Sequence, residues 1–128
     1  MNTVDNNNND ILSTACMGGK LKTVKELLEK GVDPSVPHNT PICNAASGGH
    51  IKIVRYLLKD KRVDVQAHQN YPLCVAAEKG DWEMVELLLK NGVDTNETPK
   101  MPHLIISKDH IAVIELLRTT QCKFIIVD

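Results

Sequence analysis

Aromatic residues are scarce in this 128-residue chain: one Trp, two Tyr and one Phe make up 3% of it, although 42% is hydrophobic. A core of stacked rings is thereby excluded. Ile, Leu, Val and Ala must do the packing, which suits thin, closely stacked helices better than a bulky sandwich. An excess of one charge is missing too. The net charge is −1 and no stretch concentrates Lys and Arg, so the electrostatic footprint of a nucleic-acid-binding protein is lacking. No apolar run approaches the ~18 residues of a membrane span, and the first residues show neither the basic nor the apolar region of a signal peptide. Four cysteines without such a signal fit a reducing compartment, cytoplasmic or nuclear.

Chemistry-bearing patterns are equally thin. Neither the C-x₂₋₄-C nor the H-x₃₋₅-H spacing of a zinc site occurs. Met17-Gly18-Gly19-Lys20 is too short for a phosphate loop and returns elsewhere as a turn. A nucleophile, a base and an orienting group converging in a pocket are not discernible. The chain is expected to be non-catalytic, with no cofactor, no metal, no nucleic acid and no membrane among its partners.

What is present is periodicity. Ala15-Cys16-Met17-Gly18-Gly19 returns as Ala45-Ala46-Ser47-Gly48-Gly49 and as Ala76-Ala77-Glu78-Lys79-Gly80, a period of 30 or 31 residues. Each copy is followed by a leucine-rich block, Val24 to Leu28, Val54 to Leu58 and Val85 to Leu89. Self-similarity at this period marks an all-α solenoid of small units, none able to bury its apolar face alone. The length fits one domain. In the second unit Thr40 precedes Pro41, which puts a capping hydroxyl before a proline in the first helical turn. The first helix is predicted to end near Gly48, with Gly49 making the turn. A second helix is predicted from about Ile51 to Lys59. There Ile51, Val54, Leu57 and Leu58 form an apolar stripe, and Lys52, Arg55 and Lys59 face water.

These residues resemble the ankyrin repeat family. Its T-P-L-H-x-A-A-x-x-G-H-x-x-I-V-x-L-L-L pattern appears as Thr40-Pro41-Ile42-Cys43-Asn44-Ala45-Ala46 through Gly49-His50 to Val54 and Leu58, and again from Tyr71-Pro72-Leu73 to Leu89. The resemblance covers about residues 10–118 and implies stacked helix-turn-helix units with short hairpin-like fingers. The units fall at about 10–37, 38–67, 68–97 and 98–118, preceded by a disordered Asn-rich tail at 1–9 and followed by a capping tail at 119–128. Members of the family bind other proteins through the fingers and the concave inner-helix face.

Departures from the pattern locate what is individual here. From the Asp ending each unit to the next proline the spacing is eight residues (Asp33 to Pro41, Asp64 to Pro72, Asp94 to Pro102), about three fewer than the family pattern, so the fingers are clipped. Lys59-Asp60-Lys61-Arg62-Val63-Asp64 carries an extra residue and lacks the helix-ending glycine, which predicts a more basic, more exposed loop. Cys43 and Cys74 stand where the family has histidine and are expected to be small core residues, too far apart for a disulfide. Thr23 and Glu26 give the first unit a polar cap, and Arg118 does so for the last. In the fourth unit Asp109 replaces the turn glycine and the first helix is one residue short. The apolar Phe124-Ile125-Ile126-Val127 either folds back over that unit or marks where a longer array was cut. Trp82 aligns with Leu21 and Ile51, which favours packing between units over a binding hot spot. Asp94-Thr95-Asn96 resembles the D-V-N segment whose asparagine is hydroxylated in some ankyrin proteins; an unmodified Asn96 is the expectation.

The functional expectation is a monomeric protein-protein interaction module acting as adaptor, scaffold or competitive inhibitor. The alternative is a targeting fragment of a larger protein, for example a ubiquitin ligase adaptor or host-interaction factor. Matching residue by residue to the family's variable positions, partner contacts fall on His38, Asn39, Ser47 and Gly48. In the third unit they fall on Gln69, Asn70, Tyr71, Glu78 and Lys79, and in the fourth on Lys100, Met101, Ser107 and Lys108. Tyr71, a rigid amphipathic ring in place of the capping Thr, is the expected anchor.

Overall fold

The computed structural model describes residues 3–93 and 103–128, with side chains from Asn7 onward. Contacts cluster within two compact units, residues 1–64 and 65–128.

The first unit is two helix hairpins packed side by side. α1 (Thr3–Gly18) turns into α2 (Leu21–Glu29), α3 (Thr40–Ser47) turns into α4 (Ile51–Leu57), and α1 packs on α3 while α2 touches α4. Leu12, Ala15 and Cys16 of α1 meet Ile42, Ala45 and Ala46 of α3 in a core whose members are at most 3% exposed. Alanines at these positions let helix backbones approach closely. Val24, Leu27, Ile53, Val54 and Leu57 fill the rest; of the predicted stripe Val54 and Leu57 are buried, Ile51 and Leu58 are half-buried, and Ile53 joins it. Helices of seven to nine residues are too short to persist alone, so this packing is what keeps them folded.

α1 starts well before residue 10, inside the segment read as a disordered tail. Once Leu12 to Cys16 are docked, each further residue adds a backbone hydrogen bond without a new nucleation step. Asn8 and Asn9 also line a cleft with Lys30 to Asp33, in the turn after α2.

In the second unit, α5 (Ala67–Lys79) and α6 (Trp82–Lys90) repeat the hairpin. The backbone of α5 is left-handed at His68, Gln69 and Asn70 (φ 54°, 56° and 62°), so its regular part begins at Tyr71. The fourth repeat differs from the expected helix pair. Leu104–Ser107 is a strand, β1, followed by α7 (Ile111–Arg118) and a second strand, β2 (Phe124–Val127). The strands pair in parallel, Leu104 with Phe124 through Ser107 with Val127. The physical reason lies in the sequence: Leu-Ile-Ile replaces the alanine pair, and branched side chains favour a pleated surface over a crowded helix contact. Leu104 and Ile106 point into the core, at 1% and 0% exposure, while Ile105 is 53% exposed. The apolar tail therefore folds back onto the fourth repeat. Among the described residues this ladder is the one strand pairing, so the two described fingers, after Asp33 and after Asp64, are not strand hairpins.

Candidate functional site

The candidate site is built from the loops that enter the first helix of each repeat and from the solvent face of that helix. In the first unit the clipped finger is a compact turn. Asp33 accepts hydrogen bonds from the Ser35 N–H (2.8 Å) and hydroxyl (2.7 Å), an Asx turn that holds the Asp33 carboxyl below its ordinary value, with the Ser35 hydroxyl bond the largest cause. The chain then closes through Asn39 N–H to the Ser35 carbonyl (2.8 Å). His38 and Asn39 follow in left-handed conformation, φ 53° and 55°. The Thr40 hydroxyl does not cap α3 as expected; it donates back to the Pro37 carbonyl at 2.5 Å. Asn39 occupies the cap position without a side-chain cap bond, and its Oδ1 accepts from the Asp64 N–H at 2.9 Å. Asn39 thus ties one finger to the start of the next.

Asn70 is the equivalent residue one repeat later, and it is fully buried (0% exposed). That removes it from the surface available to a partner, a correction to its assignment. The missed signal is the pair Asn39-Thr40-Pro41 and Asn70-Tyr71-Pro72. Asparagine tolerates the left-handed conformation better than most residues, and here the backbone needs that conformation just before a proline-led helix.

Other expected contact residues are accessible. His38, Gly48, Gln69, Glu78, Lys79 and Lys108 are exposed, and Ser47 and Ser107 half-buried. Tyr71 is 41% exposed at the start of regular α5. With half-buried Cys74 and exposed Glu78 it falls at i, i+3 and i+7, one stripe on the open face of α5. Lys100 and Met101, like Asn96, lie outside the described residues. Ser107 and Lys108 sit at the end of β1, with Lys108 3.4 Å from the Asp128 carboxylate. Trp82, expected to pack, is 45% exposed at the first residue of α6 and joins the candidate surface.

The four cysteines are free. Burial pushes the thiols of Cys16 and Cys43 up to about 12 and about 11, which keeps them protonated and weakly nucleophilic. Cys74 is only half-buried, where a core position was expected, yet burial still raises it to about 11. Histidine serves the turns. His50 Nε2 donates to the Met17 carbonyl at 3.0 Å, and its ring fills the notch left by two glycines: a Cβ on Gly19 or on Gly48 would lie 2.6 Å from it. His110 occupies the same place over Gly80. Among the described residues no group of three or more His, Cys, Asp or Glu could hold a metal ion, and no helix is long and apolar enough to cross a membrane.

Paired short helices at a 30- or 31-residue period, with a histidine wedged into the preceding turn, define a repeat protein. A family model described as ankyrin repeats (3 copies) matches residues 12–99, and the chain belongs to the ankyrin repeat family. The fourth repeat, in which β1 replaces a helix, lies beyond nearly all of that match. A similar protein is the ankyrin repeat and KH domain-containing protein mask-1 of Caenorhabditis elegans, 41% identical over 51 residues. That stretch covers 38% of this chain but only 2% of the relative. Ankyrin repeats are in general protein-protein interaction modules without catalytic activity of their own.

Proposed function

We propose that this chain is a non-catalytic binding module that holds a partner protein against its clipped fingers and the open faces of its first helices, as adaptor, scaffold or competitive inhibitor. The observation that carries the reading is the α5 stripe of Tyr71, Cys74 and Glu78, with Trp82 at the head of the next helix. Two exposed aromatic rings in a chain with so few are costly to leave in water, and such rings are the commonest anchors of protein interfaces. In the first unit His38, Ser47 and Gly48 form the corresponding set, with Asn39 holding the loop in place. Gln69 and Lys79 supply polar contacts around Tyr71; Ser107, Lys108, Lys100 and Met101 extend the proposal to the fourth repeat. The chain works as a monomer inside the cell, in the cytoplasm or nucleus.

The test is affinity capture from cells with wild type and a Tyr71→Ala, Glu78→Lys, Lys79→Glu triple variant. A protein retained by wild type and lost by the still-folded variant supports the finger and inner-helix face. Equal capture by both shows that binding runs elsewhere. A second reading, that these repeats target a larger protein whose activity lies outside them, is favoured by the relative, of which the matched stretch is a small part.

A further inference from the structure

The outer side of the first unit carries a charge pattern that the finger reading does not use. Residues 1–64 hold nine Lys and Arg against seven Asp and Glu, a balance of +2, while residues 65–128 hold six against nine, −3. Lys22 and Lys25 of α2 and Lys52, Arg55 and Lys59 on or just after α4 are all exposed. On α4, Lys52 and Arg55 lie three apart, and Tyr56 lies one turn beyond Lys52. Lys25 and Lys59 both reach the Tyr56 ring, their Nζ atoms 5.6 and 5.5 Å from its centroid. The two ammonium groups are therefore no more than about 11 Å apart, drawn together by the negative face of one half-buried ring. None of the five cations closes an ion pair among the described residues. Asp60, the nearest loop carboxylate, is occupied by the Arg62 guanidinium at 2.7 and 3.0 Å. Glu26 and Glu29 are the remaining carboxylates. They share a shallow cleft with Leu21, Lys22 and Lys25, and Glu29 reaches a second one lined by Leu28, Tyr56, Lys59 and Asp60.

We propose that this α2–α4 face is a second docking surface, which takes an acidic segment of a partner protein with its carboxylates at Lys25 and Lys59 around the Tyr56 ring. Charge complementarity identifies the occupant. Five cations with two uncommitted carboxylates leave an excess of positive charge that only an anionic partner relieves. Glu26 and Glu29 then decide its kind. A phosphodiester backbone repeats its charge without gaps and would be driven against both, whereas a peptide can place discrete carboxylates at the lysines and neutral residues opposite the glutamates. A membrane surface is disfavoured because the apolar side chains on this face, Leu21, Leu28 and Tyr56, are all half-buried, and Glu26 and Glu29 beside them repel anionic headgroups. This surface is independent of the finger site and can fail or stand alone.

The experiment uses the full chain and a fluorescent octaglutamate peptide, read by polarisation at low and at physiological salt. Wild type should bind and weaken as salt rises. The Lys25→Glu, Lys59→Glu variant should bind at least tenfold more weakly. Lys90→Glu, Arg118→Glu, the same charge change in the other unit, should bind as wild type does, and so should the finger triple variant. Tyr56→Phe should keep the affinity, because it keeps the ring face, and Tyr56→Ala should lose several-fold. Equal loss in both charge-reversed variants, or no binding by wild type, overturns the proposal. Tighter binding to duplex DNA or to phosphatidylserine vesicles than to the peptide overturns the choice of occupant. So does salt-sensitive self-association that Lys25→Glu, Lys59→Glu abolishes, which would make the occupant a second copy.

Discussion

The two units follow the same repeat and end differently. In the first, both repeats are helix pairs with a glycine turn, a histidine over that turn and alanines where the first helices meet. In the second, one repeat keeps this plan. The other retains its second helix and its histidine, but replaces the first helix by a strand that recruits the following segment. The second helix is thus the tolerant half of the repeat, since Val113, Ile114 and Leu117 still supply its buried stripe. The first helix depends on small residues. Where Ala45-Ala46 and Ala76-Ala77 give way to Ile105-Ile106, the helix is lost.

The comparison breaks most sharply at the turns. Gly80→Ala in the second unit forces a Cβ to 2.4 Å from the His110 ring at φ +72°. It should cost about 4 kcal/mol. Gly31→Ala in the first unit, at φ +96° with nothing within 4 Å, should cost only about 1 kcal/mol. Similar denaturation midpoints for the two would show that the histidine wedge is not what fixes the turn. Next comes Ile106→Ala, a fully buried strand residue. About 3 kcal/mol should be lost, with faster hydrogen exchange in β1 and β2 and little change in α1 to α4. Uniform exchange changes along the chain would contradict a local effect of the substitution.

Alkali should weaken both units more mildly, since buried thiols lie in each. Burial raises Cys16 to about 12 and Cys43 to about 11 from an ordinary 9.0. A folded-state value above the unfolded one means that the stability is present in full below pH 9 and lost as pH climbs toward 11 and 12. About one unit above the free-thiol value the loss should be roughly 1.4 kcal/mol per buried thiol. Thermal melts under reducing conditions should show it, with a shallower slope in Cys16→Ala. The smallest effect is expected from His50→Ala, which removes the 3.0 Å bond to the Met17 carbonyl. About 1 kcal/mol is the net value of such a bond, measured by urea denaturation, and no change at all would make the bond incidental.

Much of the fold was legible because it rests on period and composition. Alanine pairs, glycine turns and the stripe from Ile51 to Leu57 each admit one local structure, and neighbouring repeats confirm one another. The fourth repeat was not legible because Leu104-Ile105-Ile106 is a short apolar run, compatible with strand or helix until its partner is known. That partner, Phe124 to Val127, lies 20 residues away in register. At the candidate site, Tyr71 and Glu78 were found by matching them to the variable positions of the family, and both are exposed. Asn70 misled because an asparagine beside a proline-led helix reads equally as a contact or as a left-handed turn. Trp82 misled because its column, Leu21 and Ile51, is half-buried while the tryptophan itself is not.

The parallel ladder has a mechanical consequence. The chain enters β1 at Leu104 and leaves β2 at Val127, and the in-register pairing puts those two points at opposite ends of the ladder. Tension transmitted along the backbone would pull the strands past each other, loading their hydrogen bonds together instead of opening them one after another. α7, tethered between the inner ends of the strands, would carry no load until the ladder slipped. A helix pair offers no such geometry: its turns unwind singly under pull. The segment that departs most from the repeat is therefore the one whose hydrogen bonds share the load when the chain is stretched.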